Sequence, residues 1–578
     1  MKNKEFSYDK FPKTIIKNYD NHSYRGYHNI IKKLQERIGK NTVIVVDCYP
    51  GVDTDEVLTA LKTGLKPQNC INSEDFFYSG EKITTMLLPH LTDDRVRGVM
   101  YYGKLTDFVD QSILKKFQKT LPTLSGITLI YGVGASLLTK GNILIYADMA
   151  RWEIQLRYRK GMPNFKQQNY DEDILKKNKR GYFIEWRIAD KHKQSIYEEI
   201  DFYLDTNTKN DPKMITGEAL LAGLTQVTQQ PFRLVPYFDP GVWGGQWMKE
   251  TLDLPKDREN YAWSFDGVPE ENSVYLQYGD VIVEAPAMNI IKYQPTALLG
   301  RKNYARFGAE FPIRFDFLDT MEGQNLSLQV HPTAEYIKMQ FGMSYTQAES
   351  YYILDVGENG GVYLGLKDDV NIDTMIMDLK EAQKGAISFP ADDYINFFPA
   401  KKHDHFLIPA GAIHCSSANC MVLEVSATPY IFTFKLWDWD RVGLDGLPRP
   451  IHIDDGEKVI DATMTTAWVK QNLVNNFNTI HQDSEFTEIQ TGLHDLEFIE
   501  TRVITTSNKT HHQTATGFHM LNLVAGTGAY IESPTNEFEP YTVHYAETFI
   551  IPAAVQNYII RPTSPTETIK FIKAYVRN

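Results

Sequence analysis

The stretch Leu326-Ser-Leu-Gln-Val-His-Pro332 alternates apolar and polar residues, which is typical of a β-strand. Side chains two residues apart in a strand leave the same face, so Gln329 and His331 are expected to point to one side. Glu349 begins a second β-like run, and His414 follows a Pro-Ala-Gly turn that ends a third. The pattern predicts a β-rich fold whose strands carry polar side chains to one place.

These four residues have the chemistry of a metal site. Two imidazoles, one carboxylate and one amide oxygen suit a borderline ion such as Zn²⁺. Their net charge of about −1 would leave the ion Lewis-acidic and open to water or substrate, as in a catalytic site rather than a structural one. Gln329 has an alternative role, since a neutral amide can also act as an outer hydrogen-bond partner of the ligands.

The order of the motifs resembles a known family. Gln329-Val-His-Pro332, then Glu-x-x-Tyr-Ile-Leu from Glu349, then Pro409-Ala-Gly-x-Ile-His414 are similar to the zinc-binding cupin motifs of the type I mannose-6-phosphate isomerases. Val242-Trp-Gly-Gly245 and Asp438-Trp-Asp-Arg441 resemble further segments of that family. The resemblance runs from about residue 236 to the C-terminus.

The resemblance implies a metal-dependent isomerase that interconverts mannose 6-phosphate and fructose 6-phosphate through an enediol. One Zn²⁺ per chain, or alternatively Fe²⁺, Mn²⁺ or Co²⁺, would stabilise the negative charge that develops on the substrate oxygens. The expected ligands are Gln329, His331, Glu349 and His414. Glu424 matches a family glutamate beside the metal and is expected to move a proton or hold substrate hydroxyls. Its alternative role is that of a buried ion-pair partner for an arginine.

Three more residues are implied as catalytic or substrate-binding. Lys435 stands near the place of a family arginine, where it keeps the positive charge but loses the planar fork. Arg441 is the alternative cation, and a structural salt bridge with Asp438 or Asp440 is its other interpretation. Ser327 matches a family serine that would donate to phosphate or to a substrate oxygen, or is simply a small polar residue that fits the strand.

The chain departs from the family pattern just before this region. Where the family often has Phe-Pro-Leu-Leu-x-Lys-Phe, this sequence has Phe311-Pro-Ile-Arg-Phe-Asp-Phe317. Asp316 takes the place of the lysine and Arg314 stands two residues earlier, so the substrate preference is expected to differ. His403 and His405 precede the Pro-Ala-Gly turn, and we expect them to lie at the surface or outside the ligand set.

Composition excludes several classes of protein. The 578 residues predict two to four domains, and 42% hydrophobic with 23% charged residues is ordinary for a globular protein. The 33 tyrosines and 30 phenylalanines favour a β-rich architecture. A formal net charge of −13 argues against nucleic acid or an anionic membrane as the main partner. A sugar-phosphate substrate therefore needs a local basic pocket.

The cysteines and the N-terminus indicate a cytoplasmic protein. The four cysteines are too few and too irregularly spaced for a disulfide scaffold or a thiolate zinc site, so a reducing compartment is expected. The first ten residues have no apolar core for secretion, and no run approaches the roughly 18 apolar residues of a membrane span.

The first third of the chain predicts an α/β domain with a parallel sheet covered by helices. Buried-strand runs stand at Thr42-Val-Ile-Val-Val46, Gly126-Ile-Thr-Leu-Ile130 and Asn142-Ile-Leu-Ile-Tyr146. An amphipathic helix is predicted over 54–61. The polar stretch 201–213 is the candidate linker to the next domain.

The turn after the first of these strands has the layout of a phosphate-binding loop. A nucleotide site of this type needs Gly-Lys-Ser/Thr, but this chain has Val52-Asp-Thr-Asp55, whose acidic side chains would repel a triphosphate. Residues 143–155 are similar to a segment of nucleoside-kinase-like domains. We therefore predict a degenerate kinase-like domain over 1–225 that has lost nucleotide binding, rather than an active kinase.

The remainder predicts two cupin jelly-roll barrels. Strands are expected at 311–318, 351–356, 405–408, 422–426, 518–526 and 547–553, and a helical segment at about 457–475. The predicted domains are a metal-binding catalytic cupin over 226–480, which includes the helical segment, and a second cupin over 481–578. The second copy lacks the Gln-x-His and Gly-x-x-His residues and is predicted to be metal-free.

Two other functions fit the same residues. A non-catalytic sensor of sugar phosphates would bind its ligand at the metal cupin, and the Lys435 and Asp316 departures favour it. A bifunctional protein would combine the isomerase with an N-terminal sugar or nucleoside kinase, and the missing Gly-Lys-Ser/Thr opposes it.

Overall fold

The computed structural model describes residues 7–427, 432–444, 446, 449–492, 497–514 and 517–577. The chain divides into two compact units. The first, here called the α/β unit, comprises Lys13–Val227 and Ser273–Gln294; the second, the β unit, comprises Met1–Pro12, Thr228–Asn272 and Pro295–Asn578. The elements together form a mixed α/β fold with many sheets, as the sequence predicts.

The α/β unit is built on a seven-stranded sheet. Its spatial order is Ser23–Arg25, Lys213–Thr216, Phe202–Asp205, Ile143–Asp148, Thr42–Cys48, Ile127–Gly132 and Asn69–Asn72. The last five strands of that order are parallel, and Lys213–Thr216 runs antiparallel to both of its neighbours. A separate three-stranded sheet joins Lys13–Ile15 to the hairpin of Ser273–Tyr278 and Val281–Pro286. The three predicted buried strands are confirmed.

Helices accompany the sheet, as expected of parallel strands joined by crossovers. The α-helices are Gly26–Gln35, Thr54–Leu65, Gly80–Leu91, Gln111–Thr120, Arg151–Arg159, Ile174–Arg180, Trp186–Ile196, Gly217–Val227 and Met288–Tyr293. Short 3₁₀ turns are Ser73–Phe76, Leu105–Phe108, Leu121–Thr123, Ala135–Leu137 and Tyr197–Glu199, and Gly181–Glu185 is a π-helical turn. The predicted helix over 54–61 is confirmed, and the Asp53 carboxylate caps it by accepting from the Glu56 N–H at 3.1 Å.

The predicted linker over 201–213 is wrong. Phe202–Asp205 is a fully buried strand in the interior of the sheet, and Lys213 begins the next strand. The polar residues that suggested a linker are used in buried contacts: the Asp205 carboxylate accepts from the Asn207 and Glu284 backbone N–H groups, both at 2.9 Å. A short strand with acidic and amide neighbours looks like a loop when composition is the only guide.

Two sheets form the first half of the β unit. The six-stranded sheet has the order His405–Ile408, Glu349–Val356, Cys420–Ser426, Arg314–Asp319, Trp263–Gly267 and Tyr237–Asp239. The five-stranded sheet has the order Ile395–Pro399, Gly361–Leu366, His414–Ser416, Leu328–Val330 and Phe434–Trp437. Every pairing in both sheets is antiparallel.

Two further antiparallel sheets form the second half. The larger has the order Asn478–Gln482, Phe486–Gly492, Ile499–Thr506, Ile569–Val576, His519–Ala525 and Thr548–Ile551, and the smaller Thr510–Gln513, Asn557–Pro562, Gly528–Glu532 and Tyr541–His544. One apolar core contains residues of both sheets, among them Leu521, Phe571, Ile531 and Ile560. This shared core makes the pair a sandwich. The six strands predicted over 311–553 are confirmed.

The helices of the β unit are short. They are Trp247–Thr251, Pro295–Leu299, Arg301–Phe307, Ala334–Phe341, Ile372–Gln383, Ala391–Tyr394, Ile453–Gly456 and Thr466–Asn472, with a 3₁₀ turn at Ala553–Val555. The predicted helix over 457–475 is correct only for its second half. Residues before it hydrogen-bond to other segments instead: Asp461 N donates to the carbonyl of Gly411, which lies in a turn, and Leu366 N, at the end of a strand, donates to the Met464 carbonyl. Of the helices that the structure describes, none is long and apolar enough to cross a membrane.

A buried ion pair links the central strand of the α/β unit to a helix. The Asp47 carboxylate contacts His192 Nε2 at 2.7 Å and accepts from the Gly134 N–H at 2.9 Å. Burial raises the pKa of Asp47, but His192 and the hydrogen bonds outweigh burial and leave it lowered. Burial lowers the pKa of His192, but the Asp47 charge outweighs it and leaves the pKa above the ordinary 6.5. The contact with Asp47 therefore favours the protonated form of His192 in the folded protein.

This pair predicts a pH dependence of stability. A histidine whose pKa is raised by folding stabilises fully below its unfolded value and loses that contribution as pH rises through the folded value. Above pH 6.5 the free energy of unfolding should fall by up to about 1.4 kcal/mol per pH unit until the folded pKa is passed. Urea titrations at several pH values test this: His192→Gln should make the slope shallower than in the parent, whereas the exposed His28→Gln should keep the parent slope. Equal slopes in all three proteins would refute the assignment.

Candidate metal centre

Three buried side chains converge between the six-stranded and five-stranded sheets of the β unit that contain Glu349 and His414, which we call the first sandwich. His331 directly follows the strand Leu328–Val330, His414 begins a neighbouring strand, and Glu349 begins a strand of the facing sheet. His331 Nε2 lies 3.2 Å from Glu349 Oε2, and His414 Nε2 lies 3.0 Å from Glu349 Oε1. One ligand atom from each residue lies within 4.8 Å of the others. This spacing could hold a metal ion.

The backbone sets the orientation of both imidazoles. His331 Nδ1 lies 3.0 Å from the Phe432 carbonyl oxygen, and His414 Nδ1 lies 2.9 Å from the Ala412 carbonyl oxygen. Because a carbonyl can only accept, each Nδ1 carries the proton and each Nε2 presents its lone pair to Glu349. Burial lowers the pKa of His414, which favours the neutral form that binds a metal.

The three residues fit a divalent cation. Among the described residues, His331 Nε2, His414 Nε2 and Glu349 Oε1 are buried without a hydrogen-bond partner of acceptable geometry. Each such atom costs about 1–3 kcal/mol when it is left unsatisfied. Two nitrogens and a carboxylate are ligands that Zn²⁺, Fe²⁺, Mn²⁺ and Co²⁺ all accept.

Gln329 lies next to this cluster. Its strand pairs it directly with His414 on one side and with Lys435 on the other. Directly paired residues of an antiparallel ladder project from the same face, so Gln329 and His414 share one face of the five-stranded sheet. The side chain of Gln329 is 9% exposed. This placement suits a fourth ligand or an outer hydrogen-bond partner.

Glu424 stands beside the cluster, on the strand adjacent to Glu349. Arg314 Nη2 donates to Glu424 Oε1 at 2.5 Å. Glu424 therefore has the arginine ion-pair partner that its alternative role requires. Burial raises the pKa of Glu424 well above its ordinary value, and the charges of Asp316 and Glu349 raise it further. A carboxyl group with a raised pKa beside a metal site is suited to proton transfer.

Gln347 is a site residue that the sequence analysis missed. Its Nε2 donates to Glu349 Oε2 at 2.7 Å and to Glu424 Oε1 at 3.3 Å, and its Oε1 accepts from the Phe432 N–H at 2.7 Å. The amide thus joins the metal-site carboxylate to the candidate base. Its position two residues before Glu349 is the signal that could have revealed it, since both side chains leave the same side of an extended chain.

Ser327 and Arg441 meet at a shared carboxylate. Ser327 Oγ donates to Asp438 Oδ1 at 2.5 Å, and Arg441 Nη2 donates to the same oxygen at 3.0 Å. Arg449, which the sequence analysis did not single out, donates from Nη1 to Asp438 Oδ1 at 2.9 Å and to Ser327 Oγ at 3.2 Å. Arg441 therefore makes the salt bridge with Asp438 that was its structural interpretation, and Ser327 belongs to the same network.

The two remaining histidines lie away from the cluster. His405 pairs with Tyr352, and alternation along the strand places both on the face opposite Glu349. His405 is fully buried rather than at the surface, and burial lowers its pKa to about 3. His403 Nδ1 lies 2.9 Å from the Tyr352 hydroxyl. Neither histidine joins the three converging side chains.

Comparison with known proteins gives matches of two kinds. Residues 26–229 match a family described as a domain of unknown function (DUF8485). About two fifths of the chain is homologous to mannose-6-phosphate isomerases. Mannose-6-phosphate isomerase ManA of Bacillus subtilis (strain 168) is 25% identical over 240 residues, which cover 41% of this chain and 69% of the relative. A mannose-6-phosphate isomerase of Streptococcus mutans serotype c (strain ATCC 700610 / UA159) is 23% identical over 246 residues, 42% of this chain and 72% of the relative.

Solved structures of mannose 6-phosphate isomerases are also similar. The crystal structure of the Bacillus subtilis enzyme has a TM-score of 0.48 at 15% identity, covering 60% of this chain and 100% of the other. A mannose 6-phosphate isomerase bound with zinc and yttrium has a TM-score of 0.45 at 13% identity, covering 61% of this chain and 100% of the other.

Proposed function

We propose that this protein is a metal-dependent isomerase that interconverts mannose 6-phosphate and fructose 6-phosphate. The observation that carries the proposal is the buried cluster of His331, Glu349 and His414, whose ligand atoms converge without hydrogen-bond partners among the described residues. Homology to mannose-6-phosphate isomerases over about two fifths of the chain supports the choice of substrate. The expected setting is the cytoplasm, and no nucleic acid or membrane partner is proposed.

The site residues have the following proposed roles. Gln329, His331, Glu349 and His414 hold one divalent ion, with Zn²⁺ the first choice, which supplies Lewis-acid stabilisation of charge on the substrate oxygens. Glu424 acts as the base that takes the proton from one of the two reacting carbons and returns it to the other. Arg314 and Gln347 orient Glu424, because both donate to its Oε1.

The phosphate end needs a cation outside this buried group. Lys435 is the first candidate, since its side chain is half-buried and its strand adjoins that of Gln329. Arg441 was the other candidate, and its guanidinium is already shared between Asp438 and the Asn325 carbonyl. We assign the phosphate to Lys435 because of its place beside Gln329, and give Arg441 and Ser327 a structural role through their shared contact with Asp438.

The domain assignment is part of the same proposal. We assign residues 226–480 to a catalytic cupin, 481–578 to a metal-free cupin, and 1–225 to a degenerate kinase-like domain. The two sandwiches of the β unit support the cupin assignment. In the α/β unit, a cavity of about 360 Å³ at the strand ends is lined by Asp53, Asp55 and Glu74 among others. Its acidic lining opposes binding of a nucleoside triphosphate and therefore opposes the bifunctional kinase.

A non-catalytic sensor of sugar phosphates is the second candidate function. The engagement of Arg441 by Asp438 favours it, because it removes one cation that could act on the substrate. Saturable binding of mannose 6-phosphate without turnover would distinguish the sensor from the isomerase.

The proposal predicts chelator-sensitive isomerase activity. The full-length protein should convert mannose 6-phosphate to fructose 6-phosphate, lose this activity by at least about 100-fold after chelation, and recover it with Zn²⁺. A coupled assay for fructose 6-phosphate measures all three states. A folded, zinc-loaded protein that shows no conversion would contradict the isomerase, and activity that survives complete metal removal would contradict the role of the metal.

A further inference from the structure

Two rows of buried polar side chains cross one face of the six-stranded sheet. This is the face from which Glu349 contacts His331 and His414. Direct register pairs place Arg314 opposite Ser426 and Ser426 opposite Glu349. The next row, two residues along, places Asp316 opposite Glu424 and Glu424 opposite Tyr351. All belong to one face, and none is more than 4% exposed; we name them together the polar wall: Arg314, Asp316, Glu349, Tyr351, Glu424 and Ser426.

The wall holds polar atoms that the protein does not satisfy. Arg314 donates from Nε to Asp316 Oδ1 at 3.1 Å and from Nη2 to Glu424, which leaves Nη1. Within the described chain, Arg314 Nη1, Asp316 Oδ2 and Ser426 Oγ are buried and have no hydrogen-bond partner. Native proteins keep few such atoms, and each costs about 1–3 kcal/mol if nothing binds to it. With Tyr351 Oη and Glu349 Oε1 they make five such atoms on one face, which indicates a surface that is completed by a ligand.

The direction of the wall follows from Glu349. This residue belongs to the same face and directs its carboxylate at both imidazoles of the metal cluster. The unsatisfied atoms of Arg314, Asp316 and Ser426 therefore lie on the side of the sheet where a substrate at the metal would lie.

The charge of the wall decides which part of a substrate it suits. One guanidinium is matched against three carboxyl groups, those of Asp316, Glu349 and Glu424, so the wall has no surplus positive charge to attract a phosphate. An unused N–H donor, an unused carboxylate acceptor and a free hydroxyl stand in neighbouring positions. Sugar hydroxyls match this set, because each one both donates and accepts a hydrogen bond.

We propose that the polar wall is a subsite that binds the hydroxyl groups of an open-chain sugar, with Arg314, Asp316 and Ser426 as its contacts. The phosphate of the same molecule is bound elsewhere. This assignment rests on the proposed function. It deepens that function by placing the hydroxyl-bearing end of the substrate, and not its phosphate, between the two sheets that carry the proposed metal ligands. It makes Asp316 and Arg314 determinants of sugar specificity.

Binding of a hexitol 6-phosphate tests the subsite without requiring catalysis. This probe keeps the hydroxyls and phosphate but has no carbonyl to isomerise, so isothermal titration of the zinc-loaded, full-length protein measures binding alone. Asp316→Asn should weaken its binding by about 10-fold to 100-fold, since a hydrogen bond to a charged group is lost. Binding of inorganic phosphate and the zinc content should stay unchanged. The exposed Asp368→Asn is the matched control and should bind like the parent.

A second variant guards against misfolding of the first. Ser426→Ala removes a single hydroxyl without changing charge and should weaken hexitol 6-phosphate binding by about 3-fold to 10-fold at unchanged zinc content. Unaltered hexitol binding in both variants, or an equal loss of inorganic phosphate binding, would overturn the subsite. The failure of one proposal can be distinguished from the failure of the other. If the parent protein binds the hexitol 6-phosphate through these residues but does not convert mannose 6-phosphate, only the proposed isomerase function is contradicted. Conversion together with unaltered hexitol binding in both variants contradicts only the subsite.

Discussion

Replacing His414 with alanine is expected to weaken zinc binding by more than about 100-fold, since even the loss of an outer partner of a metal ligand costs about 10-fold to 100-fold. The variant keeps Glu349 and His331 but lacks the third of the converging ligand atoms, His414 Nε2. Isomerase activity at limiting zinc should fall with it. Zinc content after dialysis against a chelator of known affinity measures the effect directly.

A second buried histidine supplies the control. His405 is as buried as His414, but it lies on the opposite face of the sheet that carries Glu349. His405→Ala should therefore retain zinc while it changes core packing by a similar volume. If His414→Ala bound zinc as tightly as the parent, the proposed ligand set would be wrong.

Replacing Arg233 with methionine is expected to destabilise the β unit by about 3–5 kcal/mol, because it leaves two buried carboxylates without their cation. Arg233 Nη1 lies 2.7 Å from Glu547 Oε1, and Nη2 lies 3.5 Å from Asp266 Oδ1. All three side chains are 1% exposed. The guanidinium also lies 4.9 Å from the ring centroid of Tyr8 and donates to the Asp9 carbonyl.

Urea unfolding followed by fluorescence checks this prediction. The exposed Arg258→Met is the matched control, and its free energy of unfolding should stay within about 0.5 kcal/mol of the parent. A loss of less than 1 kcal/mol in Arg233→Met would mean that the carboxylates find other partners or take up protons on folding.

The sequence predicted the elements better than their connections. The buried runs at 42–46, 126–130 and 142–146 are strands because a parallel sheet buries both faces, and continuous β-branched residues report that burial locally. The stretch 201–213 was assigned to a linker because the chain around Phe202–Asp205 is polar, although the fold buries those polar groups in hydrogen bonds. Local composition carries no information about partners that are distant in sequence.

At the candidate site, the sequence by itself determined the chemistry of the proposed ligands. Gln329, His331, Glu349 and His414 stand in short motifs whose spacing and side-chain types are readable without a structure. Only the tertiary structure decided their surroundings. Arg314 donates a hydrogen bond to Glu424, 110 residues away in the sequence, and Ser327 donates one to Asp438, 111 residues away. Such contacts depend on strand pairing, which sets which side chains share a face. Ligand type is a property of one residue, whereas a charge network is a property of register, and register exists only once the sheets have formed.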